Sequence, residues 1–280
     1  MMNIAEMTQD IGVLAPMPAS VKRLSEAASK PDVKIGEIVE AVKFDQALTA
    51  DLLRAANSVW SGAAREIDTV QAAVVRLGVA RILGFATGKR LHNTMAGPCE
   101  AYHLGERELW RHSLATALAA GKIASFASTD IPASAFTAAL LHDFGKLILA
   151  RYHSAEVIGK ISALAEKGQL YIEAERMVLG TDHAAVGGMA AKHWQFPQNL
   201  VNAIERHHEP DIDPNALQDA VHVANIVAKT LGIGLGSEQM NMEASADAPT
   251  RLGLSSASME ALCAAVLVEL PQTEALFEVK

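Results

Sequence analysis

Along most of the chain, apolar residues recur three and four positions apart with charged residues between them, as in "SVKRLSEAASK", "IGEIVEAVKF" and "QALTADLLRAANSVW". That spacing is the mark of a helix that buries one face. Strand-like alternation is nearly absent, so the pattern predicts an all-α protein with about a dozen helices. Helix starts are expected after Asp45 and Asp68 and near Ser134, whose side chains can accept from free backbone N–H groups. Stops are expected at Gly62, Gly78 and Gly168 and at the turns carrying Pro132 and Pro197. One helix is expected to run through "AFTAALLHDFGK" without a break.

Two interruptions divide the helices. "HNTMAGPCEAYHLGE" (92–106) predicts a hinge, and with it a two-part helical bundle: an N-terminal helical module over 1–105 and a second bundle over 106–280. "GSEQMNMEASADAPTRLG" (236–253) is polar and rich in Ala and Ser, which predicts a long exposed loop. Composition adds little to the fold but narrows the function. At 280 residues, 50% of them hydrophobic, the chain can bury a large core. Its 24 basic against 32 acidic residues give a net charge of −8 with no basic run, which excludes a nucleic-acid duplex as the expected partner. Cys99 and Cys263 stand far apart, the N-terminus has no leader pattern, and no uninterrupted apolar stretch approaches the roughly 18 to 20 residues of a membrane span. A cytoplasmic protein with no membrane partner is therefore expected.

One stretch does more than fill a core. "AALLHDFGKLILARYH" (138–153) sets His142 beside Asp143 among apolar residues, with Lys146 three positions on. Neighbouring helical residues point about 100° apart. The pair can share a site only where the helix faces a cavity holding one or two metal ions, with the carboxylate bridging and the imidazole to one side. Further donors lie on segments read as helices or helix ends: His112, His183, the doublet His207 and His208, and Asn225. His92, His103, His153, His193 and His222, taken singly, read as residues bonded to backbone carbonyls. A donor set of N and O atoms without thiolate suits iron, manganese or zinc, with magnesium as a further option.

These residues resemble the HD superfamily of metal-dependent phosphohydrolases, whose pattern is a His, a His-Asp doublet and a distant Asp. The closer resemblance is to its HDOD branch, a signalling output module. It is carried by "LAPMPASVKRLSEAASKPDVKIGEIVEAVKFDQALTADLLRAANS" and "IDTVQAAVVRLGVARIL" together with "LLHDFGKL" and "AVGGMAAKHWQFPQNLVNAIERHHEP". The resemblance implies that His112 is the first histidine and that His142 and Asp143 are the doublet. It likens His183, His207 and His208 to the histidines that related cyclic-dinucleotide phosphodiesterases use for a second metal, and Lys146 to a lysine that contacts substrate phosphate. Glu108, four residues before His112, matches a position that adds a carboxylate ligand in some of those enzymes; a solvated helix charge is its alternative reading.

Two departures count. Asn225 replaces the distal aspartate and brings no negative charge, and the "GYP" sequence expected after the His doublet is missing, so cyclic dinucleotide hydrolysis does not carry over. Two functions follow from the resemblance. The first is a signalling module that keeps its metal pocket and engages a protein partner through its N-terminal half, with little or no hydrolysis. The second is a phosphohydrolase for a nucleotide or small phosphoester, in which Asp143 bridges two ions that generate hydroxide and Lys146 neutralises a phosphate oxygen.

Overall fold

In the computed structural model of the chain, the described residues are 16–278 apart from 31, 59–60, 62–65 and 242–243. No strand occurs among them; a single antiparallel bridge joins Cys99 and Leu104. The helical periodicity is realised as predicted. Helices α1 (Ala19–Ala28) and α2 (Ile35–Val42) pack against each other, and both, with α3 (Gln46–Ala56), pack against the long α4 (Val70–Met95). The second group comprises α5 (Glu108–Ile123), α6 (Ala135–Leu141), α7 (Phe144–Tyr152), α8 (Ala155–Ala165) and α9 (Tyr171–Leu179). It continues with α10 (His183–His193), α11 (Gln198–Glu205), α12 (Ala216–Thr230), α13 (Asp247–Arg251) and α14 (Ser256–Glu278). Helix α5 is the centre of this group, flanked by α6, α12 and α14, and it is rich in alanine because three helices must approach it closely.

The predicted starts and stops are partly displaced. Asp45 caps α3 by accepting from Leu48 N at 3.0 Å. The cap of α4 is Thr69, which accepts from Ala72 N at 3.2 Å, rather than Asp68. Ser134 precedes α6 but its hydroxyl makes no capping bond. Gly78 kinks α4 instead of ending it, with φ 76° and ψ 160°, a conformation open to glycine and strained for other residues. The stop predicted at Gly62 lies outside the described residues.

Beyond the kink, α4 runs into the second group. Gly84 faces the Phe136 ring of α6, and Gly88 faces Phe277 of α14. Phe277 also meets Phe85 and Trp110, at ring-centre distances of 5.2 and 4.8 Å. The 92–106 stretch thus begins as helix, and it continues as a short 3-10 turn (Glu100–Tyr102) whose Cys99, Tyr102 and Leu104 are buried. By length and composition alone α4 could also cross a membrane, although charged residues interrupt its apolar run; half of its most apolar window is buried within the protein.

The 236–253 segment is not the long exposed loop that its composition predicts: Glu238 and Ser245 are buried, and residues 247–251 form α13.

Candidate metal centre

The HD doublet does not lie within a helix. Helix α6 ends at Leu141, His142 and Asp143 form a turn, and α7 starts at Phe144. The break removes the 100° problem of the sequence reading, because the two side chains no longer share one helical screw. The remaining histidines are set by similar local devices. His183 is the first residue of α10, whose N-terminus Asp182 caps by accepting from Ala185 N at 2.7 Å. His207 and His208 follow the end of α11. His112 sits one turn into α5.

Asp143 lies at the middle of these groups. Its Oδ2 is 3.5 Å from both His112 Nε2 and His142 Nε2; its Oδ1 is 3.3 Å from His183 Nε2 and 3.9 Å from His207 Nε2. Among the described residues, three donor triads are compact enough to hold an ion: His112, His142 and Asp143; His183, His207 and His208; and Asp143, His183 and Glu238. One carboxylate therefore stands between two groups of imidazoles.

The outer ring nitrogens of four of the histidines are anchored. Nδ1 of His112, His142 and His207 lies 2.8, 2.7 and 2.8 Å from the carbonyls of Ile233, Ala139 and Ile204. Nδ1 of His183 is 2.7 Å from Glu175 Oε2. Each anchor fixes the tautomer and leaves Nε2 aimed inward as an acceptor, the second layer that metal-binding histidines normally possess. Four atoms around this centre are left without partners: His112 Nε2, His142 Nε2, His207 Nε2 and Asp143 Oδ1 are buried and make no hydrogen bond, as is also true of Asn225 Oδ1 on α12. Buried polar atoms are rarely left so, and the four that gather at Asp143 fit a divalent cation.

The protonation states agree with that reading. Burial lowers the pKa of His112 and brings that of His142 down to about 4; burial and the neighbouring His208 lower that of His207. His183 goes the other way: burial opposes its protonation, but Glu175 outweighs burial and raises the pKa. Asp143 is held well below the usual carboxylate range, its burial being overcome by His142, Lys146 and His183.

Lys146 is buried, and its Nζ lies 2.7 Å from Asp143 Oδ2 and 2.6 Å from Glu238 Oε2. Asn225 is buried on α12, one turn before Lys229. Glu108 does not join the cluster: it is exposed at the start of α5, where its carboxylate accepts from Gly105 N at 2.6 Å.

The sequence reading missed Glu175, Lys229 and Glu238. The first two had a signal, since Glu175 follows the buried Tyr171 by four residues and Lys229 follows Asn225 by four. Glu238 lies outside any periodic segment and had none.

A helical bundle with an anchored histidine cluster around one bridging carboxylate defines a protein of the HD type. More narrowly, the sequence profile of the HDOD domain matches residues 14–210, and the chain belongs to the HDOD family. An uncharacterised protein of Treponema pallidum (strain Nichols) is 26% identical over 208 residues, covering 74% of this chain and 39% of its own length. The chain thus spans about two fifths of that relative. An HDOD domain protein of unknown function from Geobacter sulfurreducens has a similar structure, with TM-score 0.70 and 25% identity over 98% of this chain and 97% of its own. A candidate signal transduction protein from Marinobacter aquaeolei VT8 shares the fold (TM-score 0.74, 21% identity, 99% of this chain and 61% of that one). So does a candidate phosphohydrolase from Shewanella amazonensis SB2B (TM-score 0.65, 22% identity, 98% and 97%).

Proposed function

We propose that the protein is an HDOD signal transduction module whose divalent-metal pocket is retained but closed, and which acts through a protein partner with little or no hydrolysis. The observation that carries this reading is the state of Lys146. Its ammonium is spent on Asp143 and Glu238, and Asp143, His112, His142, His183 and His207 are almost completely buried. While Asp143 and Glu238 hold it, this ammonium is not free to meet a phosphoester, and these five side chains offer a ligand almost no surface. The residues that would hold metal are His112, His142 and Asp143 on one side, and His183, His207 and His208 with the other oxygen of Asp143 on the second; Asn225 supplies a neutral oxygen. One or two ions of iron, manganese or zinc fit such donors, and magnesium fits them less well because it prefers oxygen ligands. Bound there, a metal would act as a Lewis acid toward water or a phosphate oxygen.

The partner is expected on the N-terminal module, residues 1–105, where Ile35, Phe44 and Val75 are exposed. The alternative, a metal-dependent phosphohydrolase with Asp143 and Lys146 as catalytic groups, is favoured by the bridging geometry and requires Glu238 to leave. Elemental analysis of untagged protein prepared without chelators separates the readings. One to two equivalents of metal lost in Asp143→Ala, with no turnover across a phosphoester panel, supports the signalling module. Turnover that disappears in Asp143→Ala supports the hydrolase, and a metal-free wild type rejects both.

A further inference from the structure

The segment after α12 is built to cross the site. In "LGIGLGS" (231–237) Gly232, Gly234 and Gly236 all have positive φ. A side chain at Gly234 would strike Glu108 O at 2.5 Å and His112 Cβ at 2.8 Å, and one at Gly236 would strike Tyr102 O at 2.6 Å. Only glycine lets this strand of backbone lie flat on α5 and the Glu100–Tyr102 turn. It is fastened on both sides of Glu238. Before it, the Ile233 carbonyl meets His112 Nδ1, and Ser237 N donates to Tyr102 O at 2.8 Å; after it, Asn241 accepts from Tyr171 N at 2.8 Å.

The strap delivers one carboxylate to two buried lysines. Glu238 Oε2 meets Lys146 at 2.6 Å and Oε1 meets Lys229, with His208 Nε2 at 3.8 Å from Oε1. All three charged residues are at least 96% buried. Burying two ammonium groups is costly unless an anion lies between them, so this corner is an anion seat in its own right, and a carboxylate with two oxygens on two ammoniums is a close stand-in for a phosphoryl group. Without metal, Lys146 and Lys229 balance Asp143 and Glu238. A divalent ion beside Asp143 leaves excess positive charge, which a dianion balances better than the single charge of Glu238.

We propose that Lys146 and Lys229 form a two-lysine seat for a phosphoryl anion, and that Glu238 occupies the seat until such an anion displaces it. The inference rests on the reading of the cluster as a divalent-metal pocket, and it adds Lys229 and Glu238 as ligand-binding and gating residues.

The test is titration of the metal-loaded full chain with inorganic phosphate at constant ionic strength, by calorimetry, with metal content measured on every sample. Glu238→Gln is expected to keep its metal and to bind phosphate at least tenfold more tightly than wild type, and adding Lys229→Met should erase that gain. Unchanged phosphate affinity in folded, metal-replete Glu238→Gln would overturn the proposal. So would a gain that survives Lys229→Met, or loss of a metal equivalent in Glu238→Gln, which would make Glu238 a ligand. Hydrogen exchange on the wild type decides the matter if the variant does not fold: phosphate should raise exchange at Ser237–Asn241, and no change there rejects the proposal. Absence of metal from the wild type would instead defeat the underlying reading, and it is read out separately.

Discussion

At the scale of single residues, the histidines are held neutral by burial, and this links stability to pH. His142, with its pKa lowered to about 4 from an ordinary value of 6.5, binds no proton in the folded metal-free protein over a range in which the unfolded chain does. Its contribution is complete above the unfolded value and is lost as pH falls toward the folded one, a difference of about 3 kcal/mol. His112, His207 and His208 are displaced in the same direction. His183 has the opposite sign: its raised pKa stabilises the fold at low pH, and that contribution is lost as pH rises through the folded value. Urea denaturation of chelator-treated protein should therefore show stability falling steeply from neutral pH toward about pH 5. A flat profile over that interval would contradict the buried, neutral cluster.

Among the elements, the contact that decides the site is the crossing of α7 and α10. Gly145 permits it: a Cβ there would sit 1.9 Å from the His183 carbonyl and 2.8 Å from Gly187 N, both backbone atoms that cannot turn aside. The residue after it is Lys146, and the one two before it is Asp143, so a shift of α7 moves the bridge and the lysine together. Gly145→Ala is expected to cost about 3 kcal/mol or more through overpacking and to reduce metal content, since His183 and Asp143 would be forced apart. Thermal denaturation with elemental analysis checks both effects. Gly36→Ala, where a Cβ meets nothing within 4 Å, serves as the neutral control.

Over the whole molecule, the cluster gathers residues from α5, the α6–α7 turn, α10 and the end of α11, with the strap after α12 laid across it. An ion held by groups so far apart in sequence binds the folded state and not the unfolded chain, so its affinity adds to folding stability. At free metal 100 times its Kd the gain is about 2.7 kcal/mol, which for a chain of this size corresponds to roughly 5 °C or more in Tm. Stripping with a chelator should lower Tm by that amount in wild type and by little in Asp143→Ala. Equal shifts in the two proteins would place the metal elsewhere.

The all-helical class was written in the chain, because a 3.6-residue period is a local property. Most of the side chains that meet in the cluster were also legible in it, because His and Asp stand out against runs of alanine and leucine. Where these side chains meet depends on the packing of helices distant in sequence. The turn at His142 and Asp143 is invisible in "TAALLHDFGKL", whose periodicity runs straight through it, and the break arises from the packing of α6 and α7 against different neighbours. Glu108 has helical spacing from His112 but ends at an exposed helix terminus. Glu238, in a polar segment that composition assigns to solvent, is drawn inward because two buried ammonium groups need a counter-charge. Long-range charge pairing of this kind leaves no period along the chain, and so it had to be read from the fold.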